Sequence, residues 1–371
     1  MSKLKALFVF GTRPEAIKIA PVVQALKASP MFDVNVCVTA QHREILDEVL
    51  TIFDISPDYD LDIMQPGQTL TEISTRALSG LGAVIEQAGP DIVLVQGDTT
   101  TTFAAALSAL YHKVPVAHIE AGYRTGDLYQ PFPEEANRRL VSEIAKWHFA
   151  VNEGCRGHLL REGHADADIF VVGNTGIDAL FQVVGERGSP QQLGLEERAS
   201  GKRTILMTMH RRENWGEPVK SACHAVAKLI DERPDVEVLF AVHPNPVVQD
   251  DARAVLAEVE RVSLLPPLDY VRFSQMLAGA DLVMSDSGGV HEEALALGKP
   301  LLMLREVSEW PEAVSAGQTR LVGTDSETIL ASARKVLAAL DSGVALPRLE
   351  NPLADGRASE RIVRILEASF P

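Results

Sequence analysis

Three acidic side chains stand where they could transfer protons. Asp98 follows the apolar run 92–95, which is short and β-branched enough to form a buried parallel strand. Glu120 follows a second such run, 114–119, and Glu134 comes directly after Pro133, which favours the first turn of a helix. Ligands of open α/β sheets bind outside the carboxyl ends of the strands, so we expect these acids to face one crevice. Three carboxylates directed at one crevice indicate acid–base chemistry.

Two of these acids also have a simpler explanation. Asp98 and Glu134 suit helix-capping or first-turn positions, where free N–H groups favour a carboxylate. Glu120 lies between VAHI and AGYRTG and has no evident capping task. Because groups with shifted pKa values cluster in functional clefts, the three acids together favour catalysis over capping.

The N-terminal part of the chain carries cationic groups suited to an anionic ligand. Arg13 and Lys18 follow the first apolar strand, 4–10, in or just beyond a βα loop that starts with Gly11. Cationic side chains at a helix N-terminus oppose the helix dipole, so an anionic ligand explains them better than a solvated first turn does.

A second anion-binding feature lies in the stretch SDSGGVHEEALALGKP, residues 285–300. Ser287, Gly288 and Gly289 begin a helix directly after a predicted strand, where free N–H groups form a phosphate cradle. Glu293 lies further along this helix and suits a ribose or a similar diol. An ordinary serine N-cap followed by glycines is the alternative explanation. The interpretation as a phosphate cradle is strengthened because the cationic residues of the first domain would face it.

Two histidines follow predicted strands in the C-terminal half of the chain. His210 and Arg211 come after the strand at 204–207, and His243 comes after the strand at 236–242. A single histidine is more often structural than catalytic, and a place at a strand end strengthens the catalytic interpretation only modestly.

Apolar runs of strand length alternate with helical periodicity along the chain, which indicates an α/β fold of doubly wound parallel sheets. A chain of 371 residues exceeds what one hydrophobic core supports, so we expect two domains, 1–172 and 173–355, connected through 173–180 and 185–202. The predicted strands are 4–10, 34–39, 60–64, 92–95, 114–119, 147–151 and 169–172, then 204–207, 236–242, 262–265, 281–284 and 300–304.

Composition narrows the classes of partner. The formal net charge is −16, which argues against nucleic-acid binding, since that requires a basic face. Cys37, Cys155 and Cys223 are scattered in mostly apolar surroundings and predict reduced core thiols of a cytoplasmic protein. No apolar run approaches the roughly 20 residues of a membrane helix, so we expect no membrane partner.

Taken together, the motifs resemble those of the non-hydrolysing UDP-N-acetylglucosamine 2-epimerases. The matching strings include FGTRPEAIK (10–18), TAQHRE (39–44), QGDTTT (96–101), HIEAG (118–122), RTGDLYQPFPEEANR (124–138), HRREN (210–214) and SDSGG (285–289). The resemblance implies the GT-B architecture, in which two Rossmann-like domains hold a nucleotide sugar in the cleft between them. It also implies a C-terminal helix near 356–371 that returns to the first domain, a cytoplasmic homodimer, a role in polysaccharide biosynthesis, and neither cofactor nor metal.

The resemblance assigns roles to residues that match its motifs. Catalysis falls to Asp98, Glu120, Glu134 and His210. Substrate binding falls to Arg13, Ser287, Gly288 and Gly289 for the diphosphate, Phe273 near the base, Glu293 on the ribose, and Lys18 and Arg138. Family members often bind a second UDP-N-acetylglucosamine as activator, for which the matching residues are Gln41, His42, Gln68, Arg211 and His243.

Three positions depart from the family's pattern. The chain has Ser308-Glu309-Trp310 where an arginine would serve the nucleotide, and we expect Trp310 to replace that arginine by packing. His291 stands where glutamine is common, and NPLADG replaces NPYGDG. These departures bear on nucleotide contacts and sugar identity rather than on the reaction.

The implied reaction inverts C2 of UDP-N-acetylglucosamine to give UDP-N-acetylmannosamine, through elimination of UDP to a 2-acetamidoglucal and re-addition. The alternatives are an epimerase of a related UDP-sugar, a GT-B glycosyltransferase, a hydrolysing epimerase and a nucleotide-sugar sensor without catalysis. The fold alone does not exclude a glycosyltransferase, whereas the set of acidic residues favours the epimerase.

Overall fold

The computed structural model describes residues 3–39, 43–65, 67–185, 201–307, 311–347, 351 and 353–370. The chain divides into two compact units. The first comprises Met1–Ala179 and Pro352–Pro371, and the second comprises Leu180–Asn351.

The first unit contains a sheet of seven parallel strands in the order β3-β2-β1-β4-β5-β6-β7. Its strands are β1 (Leu4–Phe10), β2 (Phe32–Val38), β3 (Tyr59–Asp60), β4 (Ile92–Gln96), β5 (Val116–Ala121), β6 (Trp147–Ala150) and β7 (Ile169–Val171). The helices that follow them are α1 (Arg13–Ala28), α2 (Arg43–Ile52), α3 (Leu70–Ala88), α4 (Thr100–Tyr111), α5 (Glu134–Ile144), α6 (Glu153–Arg161) and α7 (Thr175–Val184), with a 3₁₀ turn at Asp166–Asp168.

The second unit contains a sheet of six parallel strands in the order β10-β9-β8-β11-β12-β13. Its strands are β8 (Arg203–Met209), β9 (Val236–Val242), β10 (Val262–Leu265), β11 (Leu282–Ser285), β12 (Leu301–Met303) and β13 (Thr319–Leu321). Its helices are α8 (Glu217–Glu232), α9 (Pro246–Leu256), α10 (Tyr270–Gly279), α11 (Gly288–Ala296), α12 (Pro311–Ser315) and α13 (Ser326–Asp341), with a 3₁₀ turn at Arg212–Asn214. The last helix of the chain, α14 (Ala358–Ser369), belongs to the first unit.

Continuous apolar sequence explains why these strands lie at the centre of each unit. Residues 7–10 of β1 and 92–95 of β4 are fully buried, as parallel strands covered by helices on both faces must be. The strand order reverses between β1 and β4 in one unit and between β8 and β11 in the other. Crevices for ligands form at such reversals, outside the carboxyl ends of the strands. The predicted α/β class with two Rossmann-like sheets is confirmed.

Three predictions of secondary structure were wrong. The strand predicted at 60–64 is the two-residue β3, and β13 was not predicted because a three-residue edge strand carries almost no pattern. Residues 175–180 are helical, in α7, although the chain does pass from the first unit to the second within this stretch, between Ala179 and Leu180. Gly173 has a positive φ, and any Cβ there would lie 2.4 Å from the Leu353 carbonyl oxygen, so this position requires glycine. Most of the predicted connection, 186–200, lies outside the described residues.

A buried carboxylate holds α14 on the first unit. Asp178 of α7 accepts the backbone N–H groups of Ala358 at 3.1 Å and Ser359 at 2.7 Å. The residue at the N-cap position of α14, Arg357, makes no side-chain capping bond, so a distant aspartate satisfies the free N–H groups instead.

The three cysteines are buried and unbridged, as predicted. Burial raises the pKa of the Cys37 and Cys223 thiols to about 12 in each case. Among the helices that the structure describes, none is both long and apolar enough to span a bilayer.

Candidate functional site

The first unit brings two of the predicted acids together, each with a cation. Arg138 of α5 donates a hydrogen bond to Asp98 Oδ2, and Lys18 Nζ of α1 donates to Glu120 Oε2 at 2.5 Å. Burial raises the pKa of Asp98, the Arg138 guanidinium opposes that rise, and the nearby Glu120 charge adds to it. Glu120 therefore lies close enough to Asp98 to raise its pKa, and both acids lie at the carboxyl ends of β4 and β5.

Glu120 has a backbone conformation that non-glycine residues seldom adopt. Its φ is +66°, and the pairing of β5 with β6 shifts register between Ile119 and Ala121. Left-handed backbone in a strand costs about 1–3 kcal/mol and persists where the surroundings hold it. Gln96 Nε2 and Lys18 Nζ both donate to Glu120 Oε2, and these bonds fix the carboxylate at the end of the sheet. Backbone strain of this kind occurs most often at functional positions.

Asp98 is not a helix cap. Thr99 caps α4, since its Oγ1 accepts the Thr102 N–H at 3.1 Å. The Asp98 carboxylate is bound by Arg138 instead, and Asn137 Nδ2 donates to the Asp98 carbonyl at 2.9 Å. Asn137 and Arg138 of α5 therefore bind the backbone carbonyl and the side chain of Asp98, respectively.

A histidine that the sequence analysis did not select also supports Asp98. His118 is fully buried, and its Nε2 lies 2.7 Å from the carbonyl oxygen of Gly97, the residue before Asp98. Burial lowers the pKa of His118 to about 4, so near pH 7 the imidazole is neutral and carries its proton on Nε2. The only signal in the sequence is its place two residues before Glu120.

A buried glutamate joins the loop after β1 to the loop after β4. Glu15 of α1 is 2% exposed, and its Oε2 accepts the N–H groups of Gly11 at 3.0 Å and Thr12 at 2.8 Å. Its Oε1 accepts the hydroxyls of Thr99 at 2.7 Å and Thr102 at 3.0 Å. Glu15 therefore fixes the loop that leads to Arg13 and Lys18 against the helix that follows Asp98. In the sequence, the capping-box spacing of Thr12 and Glu15 is the feature that could have identified Glu15 as a structural residue.

Glu134 is the first residue of α5 and is partly exposed. It precedes Arg138 by four residues, so the two side chains share one face of the helix. Glu134 therefore lies one helical turn before the residue that binds Asp98. Arg13 is the first residue of α1 and is partly exposed beside the same sheet edge.

The second unit places the predicted phosphate cradle at its own strand reversal. Ser287 caps α11, with its Oγ accepting the Val290 N–H at 3.4 Å, and Gly288 and Gly289 form the first turn. His210 follows β8, which is paired with β11, so the imidazole lies at the same end of the sheet. The backbone N–H of His210 donates to the carboxylate of Asp286, the residue before Ser287.

The other predicted residues are more dispersed. Phe273 is partly buried and packs against the core between α10, β11 and α11, whereas Glu293 lies on α11, partly exposed. His243 Nδ1 accepts the Asn245 N–H at 3.1 Å, and Gln68 Nε2 donates to the Ile63 carbonyl at 2.9 Å. Gln41, His42 and Trp310 lie outside the described residues.

His291, one of the departures, is a core residue of the second unit. Its Nε2 lies 2.8 Å from Thr319 Oγ1 on β13, and its side chain is fully buried. Its contacts therefore support the sheet. Across the described ranges, no group of three or more histidine, cysteine, aspartate or glutamate side chains is placed to hold a metal ion.

We expect Glu15→Gln to destabilise the first unit by about 1–3 kcal/mol, because an amide nitrogen replaces one of two buried acceptor oxygens. The free energy of unfolding from urea denaturation measures this loss. Glu72→Gln is the matched control, since Glu72 forms an equivalent capping box with Thr69 on the exposed surface. Equal losses in the two variants would contradict the role of Glu15 as a buried link between loops.

The chain is similar to known proteins over nearly its whole length. The family model of UDP-N-acetylglucosamine 2-epimerase matches residues 24–367. The UDP-N-acetylglucosamine 2-epimerase of Escherichia coli K12 is 48% identical over 370 residues, 98% of each chain. The structure of the Neisseria meningitidis UDP-GlcNAc 2-epimerase bound to UDP-GlcNAc is 44% identical, with a TM-score of 0.86 over 98% of this chain and all of that one.

A more distant solved relative has the same fold. The Methanocaldococcus jannaschii UDP-GlcNAc 2-epimerase in complex with UDP-GlcNAc and UDP is 33% identical, with a TM-score of 0.76 over 98% of this chain and all of that one. The GT-B fold class predicted from the sequence is that of these relatives. The chain belongs to the UDP-N-acetylglucosamine 2-epimerase family of isomerases.

Proposed function

We propose that this protein converts UDP-N-acetylglucosamine reversibly to UDP-N-acetylmannosamine by eliminating UDP and adding it back. The observation that carries the proposal is the pair of acids at the ends of β4 and β5. Asp98 and Glu120 are close enough for one charge to change the pKa of the other, and each has its own cation. The UDP-N-acetylglucosamine bound to a 44% identical relative supports the choice of substrate.

The chemistry explains why two acids are needed. The proton at C2 of the sugar is weakly acidic, since no carbonyl group is adjacent to C2. In the proposed reaction a carboxylate removes this proton as the C1–O bond breaks, which leaves a C1–C2 double bond and free UDP. A second acid then delivers a proton to the opposite face of C2, and a UDP oxygen re-forms the bond to C1.

The two acids have different surroundings, as opposite roles require. Burial raises the pKa of Asp98 against the opposing charge of Arg138, whereas Glu120 accepts hydrogen bonds from Lys18 and Gln96. Glu134 is the third member of the proposed set. The forward and reverse reactions exchange the roles of acid and base.

The departing diphosphate needs cationic support. We assign it to Arg13 in the first unit and, in the second, to the N-terminus of α11 with Ser287, Gly288 and Gly289. His210, at the same end of the second sheet, is assigned to the diphosphate that leaves and returns. Lys18 and Arg138 hold the acids, Phe273 is assigned to the base and Glu293 to the ribose.

The same proposal includes an activator and an assembly. Gln41, His42, Gln68, Arg211 and His243 are the residues assigned to a second UDP-N-acetylglucosamine. A homodimer is supported by exposed apolar side chains on two adjacent helices of the first unit: Leu110 and Tyr111 at the end of α4, and Leu140 on α5.

In D₂O we expect UDP-N-acetylglucosamine to gain deuterium at C2 in both substrate and product. The carboxylate that removes the C2 proton exchanges it with solvent before the sugar is protonated again. Proton NMR of the sugar incubated with the pure protein, without acceptor or cofactor, measures this exchange. Product with hydrogen retained at C2 contradicts the mechanism, and release of free N-acetylmannosamine identifies a hydrolysing enzyme.

Asp98→Asn and Glu120→Gln should each lower kcat by roughly 10²-fold or more, the loss typical of a positioned acid or base. UDP affinity, measured by calorimetry, should change far less, because neither residue is assigned to the diphosphate. Glu143→Gln, a substitution of an exposed carboxylate further along α5, serves as the control. Full turnover in both variants would exclude these two acids from the reaction.

A further inference from the structure

A fully buried carboxylate stands at the strand reversal of the second unit, and the reaction proposed above assigns it no role. Asp286 follows β11 directly. Its Oδ1 accepts the backbone N–H of His210 at 3.0 Å, and its Oδ2 accepts that of Arg211 at 3.1 Å. Asn214 Nδ2 also donates to Oδ2, at 2.8 Å. The buried charge is therefore satisfied by the loop that follows β8.

The same carboxylate also faces the imidazole of His210. Its Oδ1 lies 3.7 Å from His210 Nε2, and the histidine side chain is 46% exposed. Burial lowers the pKa of His210, whereas the Asp286 charge acts to raise it. The other charged or titratable groups acting on His210 are Arg211 and His243, which lower the pKa further, and Glu213, which raises it. Asp286 is thus the principal anion that favours the imidazolium form.

Chain connectivity joins this pair to the phosphate cradle. Asp286 immediately precedes Ser287, the cap of α11, so a histidine held by Asp286 is held at the N-terminus of that helix. The positive end of the helix and the Arg211 guanidinium both oppose a proton on His210. An imidazolium at this position would stabilise the negative charge that develops on a departing diphosphate.

We infer that Asp286 is the positioning residue for His210: it holds the imidazole beside the start of α11 and supplies the counter-charge with which the imidazole carries a proton as the diphosphate departs. This inference rests on the proposed function. Asp286 acts only through His210 and touches neither the sugar nor the diphosphate.

Asp286→Asn tests the inference with the smallest change of shape. The amide oxygen of the new side chain can take the place of Oδ2, which accepts the backbone N–H groups of His210 and Arg211 and the Asn214 amide. Without the charge, His210 loses its proton at lower pH, so the alkaline limb of kcat/KM moves to lower pH. Because the pKa of His210 already lies below its usual value, we expect the ratio of kcat/KM at pH 5.0 to that at pH 7.0 to rise about fivefold over the unsubstituted protein.

Asp281→Asn is the matched control. Asp281 stands just before β11, at its opposite end, and accepts the Thr204 N–H at 2.8 Å and Arg203 at 3.1 Å. It thus fixes the start of β8 as Asp286 fixes its end. A loss of stability without a change in the pH ratio is expected for Asp281→Asn. In a His210→Asn background, Asp286→Asn should change the pH ratio no further.

A measurement that needs no turnover separates this inference from the proposed reaction. In protein labelled with ¹⁵N-histidine, the His210 resonance, assigned with His210→Asn, should titrate at lower pH in Asp286→Asn than in the unsubstituted protein. An unchanged titration, or a pH ratio equal to that of Asp281→Asn, overturns the inference. If the unsubstituted protein forms no epimer, the proposed function fails while the titration still tests the Asp286–His210 pair. Should Asp286→Asn not fold, Asp286→Ser replaces it in both measurements.

Discussion

A buried carboxylate at each strand reversal is the constraint on which the rest of the site depends. In the first unit Glu15 joins the loop after β1 to the helix after β4, and in the second Asp286 joins the loop after β8 to the start of α11. Burying a charge is costly unless hydrogen bonds replace the lost water. Each carboxylate therefore holds its loops in one conformation. The side chains on those loops are held in fixed positions as a result.

This rigidity explains how the first unit can hold Asp98 and Glu120 near each other in spite of their charges. Arg138 and Lys18 offset the repulsion between them, and the neutral His118 and the amide of Asn137 fix the backbone on either side of Asp98. The left-handed backbone of Glu120 is maintained by the same surroundings. Acids held in this way can exchange protons with a substrate without first reorganising, which is the condition for efficient acid–base catalysis.

The sequence predicted most of the fold and the approximate place of the acids. Buried parallel strands are continuous apolar runs, so the residue at which each strand ends can be located in the sequence. It predicted that Glu120 had no capping task, but not the strained backbone, which coincides with the shift of register between β5 and β6. His118 and Asp286 escaped prediction because their partners are mainly backbone groups of loops remote in sequence. The role of Glu15 escaped prediction because it also binds the hydroxyls of Thr99 and Thr102, which are remote in sequence. Only the tertiary structure brings such groups together, although the spacing of Thr12 and Glu15 already fitted a capping box.

Cleavage of the bond between C1 and the bridging oxygen is the central claim, and positional isotope exchange tests it most directly. In UDP-N-acetylglucosamine labelled with ¹⁸O at that bridge, elimination frees the β-phosphate, whose terminal oxygens become equivalent by rotation. Re-addition then leaves part of the label in non-bridging positions, which ³¹P NMR distinguishes from the bridge. We predict this scrambling in recovered substrate and in product. Label retained entirely at the bridge while C2 is inverted would contradict the account.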